Sequence, residues 1–305
     1  MILCIGTTPT VQRTMTFDRL AIDDVNRARE VHEHASGKSV NVARVLGVLG
    51  VDALAIGFAG GRRGEVLLAD MTAAGVAHDV VRTSRETRLC TTVIDRATGE
   101  ATELVEEAPA ASAREWEELA AKIEARAGGA GAIVYSGTLA PGAPADFCDR
   151  WIGRAPLVLL DAKGEPMRRV LASRGGRVIA KLNRDELAQT LGHPLDTDAA
   201  LLDAMRRAAP ADGWLVVTMG KAGAAACGGG EILRVTSPPI RPVSAIGSGD
   251  AFTAGLLAGL DRGIDDALRL ACACGVANAL TPYSGYVRRA DVDRVVDEVK
   301  VERIQ

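Results

Sequence analysis

The chain is poor in aromatic side chains, with four Phe, three Trp and three Tyr among 305 residues. That scarcity argues against a platform of stacked bases for nucleic acid. Runs of Lys or Arg are missing, and the formal net charge is −3, so neither a polyanion nor an acidic membrane finds an electrostatic footprint. The six cysteines (4, 90, 148, 227, 272 and 274) form no CxxC pair and no metal-ligand spacing, and they read as buried thiols of a reducing compartment. No apolar run approaches the roughly 18 residues of a membrane span. The opening MILCIG has no basic segment and no cleavage site, and reads as a strand rather than a leader. A soluble cytoplasmic protein is expected, with no nucleic-acid or membrane partner.

Apolar residues are abundant, at 48%, enough for one large α/β domain with a smaller appendage. Candidate buried strands are 1–6, 53–58, 132–137, 157–162, 177–183 and 214–220. Ala-rich helical patterns lie between them, such as 112–127 with a Ser N-cap and an acidic first turn. This alternation predicts a mostly parallel sheet covered on both faces. Two stretches, 13–34 and 86–107, show shorter, half-polar alternation, and the second turns at RATGEA. They predict antiparallel hairpins that pair into a small sheet standing off the main body as a lid.

The strongest local signal is Gly247-Ser248-Gly249-Asp250, running straight into an apolar helix. Backbone N–H groups of such a turn converge on an anion, and the helix dipole adds to the attraction. Asp250 is placed to take a proton from an attacking hydroxyl while those N–H groups hold a phosphoryl group. Asp is also a preferred N-cap, and both readings stay open at this level. Asn183 and Glu186 follow a strand at i, i+3, which suits Mg²⁺ held partly through water and equally suits a capping box. Thr218, Gly220 and Gly223 end another strand; the turn could admit a nucleotide phosphate or simply join two strands.

Gly37-Lys38-Ser39 imitates the end of a P-loop. A P-loop requires a glycine five positions earlier, after a buried strand, and that position holds His32 in a charged hairpin. The imitation fails, although a good helix follows, with Val42, Val45, Leu46 and Leu49 on one stripe and Asn41 in its first turn. No G-x-G-x-x-G follows the first strand, which argues against a dinucleotide-binding dehydrogenase.

Residues 35–50, ASGKSVNVARVLGVLG, resemble the first motif of the ribokinase-like PfkB carbohydrate kinases, AGGKGxNxAxxLxxLG, and 245–255, AIGSGDAFTAG, resemble the second. GFAGGRRGE, ETRLC, SGTLAPGAP, KLNRDE and VTMGKAG fall between them in the family's order. DDVNRA and ETRLC point to the hexose-phosphate branch, with its 1-phosphofructokinases and tagatose-6-phosphate kinases. The resemblance spans essentially the whole chain. It implies a three-layer α/β/α fold with a β-sheet lid. The main domain would comprise 1–11, 35–85 and 108–305, and the lid 12–34 and 86–107.

The resemblance also implies roles. Asp250 would be the base, with the N–H groups of Gly247, Ser248 and Gly249 as an anion hole. Asn183 and Glu186 would organise Mg²⁺ and the ATP phosphates, Thr218, Gly220 and Gly223 would lie against the nucleotide, and Asn278 would border the adenine. Gln12, Ser36, Gly37, Lys38, Asn41 and Thr138 would face the sugar. Arg88, Lys38 and, from a neighbouring subunit, Arg27 would hold its phosphate. ATP, Mg²⁺, a sugar phosphate, a candidate monovalent cation and a homodimer joined through the lid complete the expectation. Gln12 stands where the branch carries Asp, and Ser36 and Ser39 replace two loop glycines. The departures gather at the sugar end and leave open a kinase of an unphosphorylated sugar or nucleoside, or a silent sugar-phosphate sensor. His32 and His34 alternate on a strand with no third metal ligand nearby and read as exposed lid residues.

Overall fold

The computed structural model describes residues 1–304. The first half of the main sheet alternates with helices in chain order: β1 Ile2–Gly6, α1 Lys38–Val48, β4 Ala53–Gly60, α2 Gly61–Ala73, β5 His78–Thr83, α3 Ala113–Ala127 and β8 Ala132–Ser136. The segments β2 Thr10–Phe17, β3 Glu30–Ser36, β6 Arg88–Asp95 and β7 Glu100–Val105 interrupt this run. The second half brings β9 Val158–Asp161, α4 Glu165–Ala172, β10 Val178–Asn183, α5 Arg184–Leu191, α6 Asp198–Ala208 and β11 Gly213–Thr218. It closes with β12 Ala224–Gly228, β13 Glu231–Thr236, α7 Ser248–Gly259, α8 Ile264–Ala279, α9 Arg289–Val296 and β14 Lys300–Ile304.

Ten strands form one sheet in the order β14-β13-β12-β11-β10-β9-β8-β1-β4-β5. The pairs from β11 to β5 are parallel and those from β11 to β14 antiparallel. Side chains alternate between the two faces of a strand, and the core divides accordingly. Ile2 and Cys4 of β1, with Val134 of β8, pack under α1, α2, α7, α8 and α9. Leu3 and Ile5, with Ile133 and Tyr135, pack under α3 to α6. Each six-residue stretch that reads as continuously apolar is thus a strand buried on both faces, which is why alternation is invisible in it.

All six strands expected from sequence are present, and α3 begins at Ser112 with a full capping box to Glu115. Four further strands, β5, β12, β13 and β14, went unread. β12 and β13 are joined across the Gly229-Gly230 turn, and β14 closes the edge.

The small sheet has the order β3-β2-β6-β7. Its hairpins β2–β3 and β6–β7 are antiparallel, but they meet through a parallel pairing of β2 with β6. Registers put His34, Gln12, Cys90 and Val105 in one cross-strand row and His32, Thr14, Thr92 and Glu103 in the next. Strand β2 starts at Thr10 and β3 runs to Ser36, so the small sheet reaches two residues further at each side than the 12–34 stretch.

Candidate active site

The carboxyl ends of the parallel strands, where open α/β sheets receive ligands, border a cleft of about 1000 Å³. Toward the small sheet its lining is mostly polar, with Thr10, Gln12, Ser36, Lys38, Arg88 and Glu103 beside Cys90 and Val105. The other end is largely apolar, with Ile240, Pro242, Ile246, Phe252, Val276 and Ala279. Asp250 and the turn before it line the same cleft, together with Asn41, Lys181, Asn183, Glu186, Thr218, Gly220 and Gly223.

Gly247 caps α7 in the left-handed region, at φ 84. A Cβ there would come within 2.6 Å of the Gly285 nitrogen and 2.7 Å of Ser284 Cα, so only glycine allows the loop 284–285 to press against the helix start. Of the three N–H groups expected to form an anion hole, that of Ser248 donates to the Ala245 carbonyl at 3.1 Å. Those of Gly247 and Gly249 have no acceptor among the described residues, and they sit where the dipole of α7 adds its positive end. Asp250 makes no side-chain cap; the N-cap is Gly247.

Asp250 is only 6% exposed, and its Oδ2 accepts from Asn41 Nδ2 at 2.7 Å. Burial raises its carboxyl pKa to about 6, against the opposing pull of Lys38. The nearby Asp161 charge adds to the rise, while the Asn41 hydrogen bond and Lys181 resist it. A carboxylate with that value is basic enough to accept a proton and is still ionised at neutral pH.

Asp161, at the end of β9, is fully buried between two lysines. Lys181 Nζ lies 2.8 Å from one of its oxygens and Lys38 Nζ 3.1 Å from the other. Burial alone would raise Asp161, but the two ammonium groups pull it down to about 2. Its charge in turn raises the Lys38 pKa. Lys181 also donates to the Gly249 carbonyl at 3.2 Å, and Thr253 Oγ1 donates to Asp161 at 3.0 Å. Neither Asp161 nor Lys181 was singled out from sequence: each sits inside an apolar strand, and an Asp in LVLLDA gives no sign that two lysines converge on it.

Several expected residues take other places. Asn278 does not border the cleft: it is fully buried, donating to the Ile246 carbonyl at 2.9 Å and accepting from the Gly285 N–H at 2.8 Å. It ties the two loops beside α7 together, and the apolar wall is made instead by Cys272, Gly275, Val276 and Ala279 of α8. Their i, i+3, i+4, i+7 spacing was the available signal. Thr138 lies outside the cleft, its carbonyl accepting from the Thr7 and Thr8 hydroxyls. Arg27 is exposed on the 18–29 loop and does not line the cleft of its own chain. Ser39 is buried against Gly6, where a Cβ would come within 2.1 Å of its Oγ, so it takes no room from the cleft.

The histidines are a further correction. His34 is 2% exposed and packs with His32, Tyr283 and Tyr286. Burial, with the Arg44 charge and His32 nearby, drives its pKa down to about 3.

Some residues line the cleft and also meet the simpler local role. Asn183 and Glu186 form a reciprocal capping box at 2.8 and 2.9 Å. Thr218, Gly220 and Gly223 make the β11–β12 hairpin turn, in which a Cβ on Gly223 would strike the Val235 carbonyl at 1.9 Å. Arg88 donates to the Thr8 carbonyl at 2.8 Å and to that of Glu106 at 3.2 Å, with its Nε buried and unpartnered. Glu103, exposed on β7, faces the same end of the cleft as Arg88.

A model of the pfkB family of carbohydrate kinases matches residues 1–288. The chain belongs to that family. Among solved structures, phosphofructokinase-2 from Escherichia coli superposes with a TM-score of 0.89 at 23% identity, covering 98% of both chains. A possible 1-phosphofructokinase from Thermotoga maritima gives 0.88 at 20% identity over 100% of both. At these identities the superpositions establish the ribokinase-like fold, and the pfkB match establishes a carbohydrate kinase. Membership of that family implies the use of ATP. No helix among the described residues is long and apolar enough to cross a membrane.

Proposed function

We propose that the protein transfers the γ-phosphoryl group of ATP to a hydroxyl of a ketohexose phosphate, as a kinase of the 1-phosphofructokinase or tagatose-6-phosphate kinase type. The observation that carries this reading is the position of Asp250. A buried carboxylate with its pKa raised to about 6 stands at a helix N-terminus, in one cleft that is polar toward the lid and apolar toward α8. The apolar end suits an adenine ring and the polar end a polyhydroxylated acceptor.

In this reading Asp250 accepts the proton of the attacking hydroxyl as that oxygen bonds to the γ-phosphorus in line with the departing ADP oxygen. The free N–H groups of Gly247 and Gly249 meet the negative charge on the transferred group. Lys38, still 38% exposed despite its contact with Asp161, is free to turn toward the phosphates. The donor set also suits Mg²⁺: Glu186 commits one carboxylate oxygen to the Asn183 backbone N–H and keeps the other for a cation that retains most of its water. Asn183 and Glu186 would hold that ion, which neutralises phosphate charge when bound. Closure of the lid over the polar end would exclude water and suppress ATP hydrolysis. Arg88, with its unpartnered Nε, is the acceptor-phosphate ligand of this chain. Arg27 could act only from a second copy, so a homodimer formed through the lid belongs to the proposal.

One observation favours a second reading. Glu103 stands at the end of the cleft where Arg88 would receive the phosphate, and an acidic side chain there disfavours a phosphorylated acceptor. A kinase of an unphosphorylated sugar is that alternative.

The test is ADP release from Mg²⁺-ATP with fructose 1-phosphate, fructose 6-phosphate, tagatose 6-phosphate, fructose and ribose. Higher kcat/KM with a phosphorylated acceptor supports the leading reading, and preference for a free sugar supports the second. Asp250→Asn should lower kcat by about 10³-fold or more while leaving ATP affinity near the original. Near-normal turnover in that variant would remove Asp250 as the base.

A further inference from the structure

From Asp250 along the wall of the cleft, which Asn41, Ser36 and Ser284 also line, polar side chains from four parts of the chain form a connected string that ends at His34 outside it. Asn41 Nδ2 donates to Asp250 at 2.7 Å, and Asn41 Oδ1 accepts from Ser36 Oγ at 3.0 Å. Ser36 Oγ lies 3.0 Å from Ser284 Oγ, and Ser284 Oγ lies 3.4 Å from His34 Nε2. All five residues are buried, none more than 6% exposed.

The anion at one end sets the direction of every bond. Asp250 can only accept, so Asn41 presents its amide nitrogen to it and its oxygen backward. That oxygen can only accept, so Ser36 spends its hydrogen there and must itself accept from Ser284. Ser284 then has only lone pairs for His34, which requires the hydrogen on Nε2 and a bare Nδ1. Consistently, His34 Nδ1 is buried with no partner.

We propose that Ser36, Ser284 and His34 are positioning residues, a one-way string of donors from lid strand β3 to the catalytic carboxylate that holds the Asn41 amide in the one orientation able to serve Asp250. This rests on the reading of Asp250 as the base. No proton travels along the string; each hydroxyl keeps its own hydrogen.

The surrounding packing is built for it. A Cβ on Gly285 would fall within 2.5 Å of Asn41 Cβ and Cγ, so the loop bearing Ser284 reaches the amide only because position 285 is glycine. Asn278 fixes that loop from behind. Arg44 of α1 offers Asn41 Oδ1 a second, longer donor at 3.4 Å, and is held by the Ala35 carbonyl at 2.6 Å and Asp70 at 3.8 Å. The charges facing Asp250 itself are Lys38, Asp161 and Lys181. His32, Tyr283 and Tyr286 enclose His34. Ser36, expected to read the sugar, is therefore spent on Asn41, which accounts for a hydroxyl where the family motif has glycine.

The experiment compares Ser36→Ala, Ser284→Ala, His34→Leu and His34→Gln with the parent protein, each checked for folding by thermal unfolding. Ser36→Ala and Ser284→Ala should lower kcat about tenfold, the effect of one lost buried hydrogen bond. KM for ATP should hold, and the acidic limb of kcat/KM should move to higher pH as the donor to Asp250 loosens. His34→Gln, which keeps an N–H donor, should recover most of what His34→Leu loses. ¹⁵N NMR of the folded parent should show His34 as the Nε2–H tautomer.

An Nδ1–H tautomer overturns the string without reference to turnover. So does a Ser36→Ala variant that raises only the acceptor KM, which would make Ser36 a sugar ligand. Asp250→Asn, run alongside, separates the two levels. If it retains turnover, the base assignment fails. If it abolishes turnover while the serine variants match the parent in kcat and pH profile, the string alone fails.

Discussion

At the scale of single residues, Asp250 stores most of the site's chemical character. Its carboxyl prefers its proton more than an exposed Asp does, since burial disfavours the anion and only Lys38, Asn41 and Lys181 resist that. As the base proposed above it would work deprotonated, so activity should rise with pH through about 6 and level above it, read as the acidic limb of kcat/KM in a pH series at saturating Mg²⁺-ATP. A limb near pH 4 would mean the carboxylate is solvated in the working enzyme. Gly285 is the other telling residue. Its φ of +69 and its closeness to Asn41 forbid a side chain, so Gly285→Ala should cost roughly 2 kcal/mol or more of stability. It should also lower kcat disproportionately, because the displaced atom belongs to the amide that serves Asp250. Denaturant unfolding and steady-state kinetics on one preparation check both.

At the scale of elements, strand β3 carries a second pH dependence. Folded His34 takes no proton until about pH 3, whereas unfolded it takes one near 6.5. Its contribution to stability is therefore complete above 6.5 and is lost as pH falls toward 3, in total of the order of 5 kcal/mol. The melting temperature of His34→Gln should fall less steeply between pH 6.5 and 4 than that of the parent, and an equal slope would show that other groups govern acid unfolding. The history of β3 also shows what sequence could and could not disclose. Strands β1, β8, β9, β10 and β11 announce themselves as apolar runs, and the GSGD turn announces α7, because local composition dictates both. His34 looked exposed because EVHEHAS alternates like a solvated strand; what buries it is Tyr283 and Tyr286, some 250 residues onward. Asn278 was placed against adenine for a related reason: a motif fixes that a residue is near the site, not which side of the helix it faces. Asp161 and Lys181 were silent because a charge inside an apolar run acquires meaning only from the partner it meets in space.

At the scale of the whole molecule, the two sheets differ in how firmly they are held. The central strands β1, β8, β9 and β10 of the large sheet are buried on both faces, whereas every residue of β7 from Glu100 to Val105 except Ala101 is exposed. Amide hydrogen exchange should therefore be fastest in β7 and the 18–29 loop and slowest in β1, β8 and β9. ATP together with the correct acceptor should slow exchange in the small sheet more than ATP alone, since the end it walls is the one proposed to take the acceptor. Equal protection by ATP alone would mean the small sheet does not respond to the acceptor.

The parallel seam between β2 and β6 joins positions as far apart as Thr10 and Arg88, 78 residues along the chain. Between them lie β4, which pairs with β1, and β5, which pairs with β4, with their helices. No hairpin can nucleate such a seam; it closes only after those strands have docked and brought its two edges together. Gln12 and Arg88 therefore come together only late in folding, so under the roles proposed above a partly folded chain would own the nucleotide end of the cleft before it had any means of choosing an acceptor.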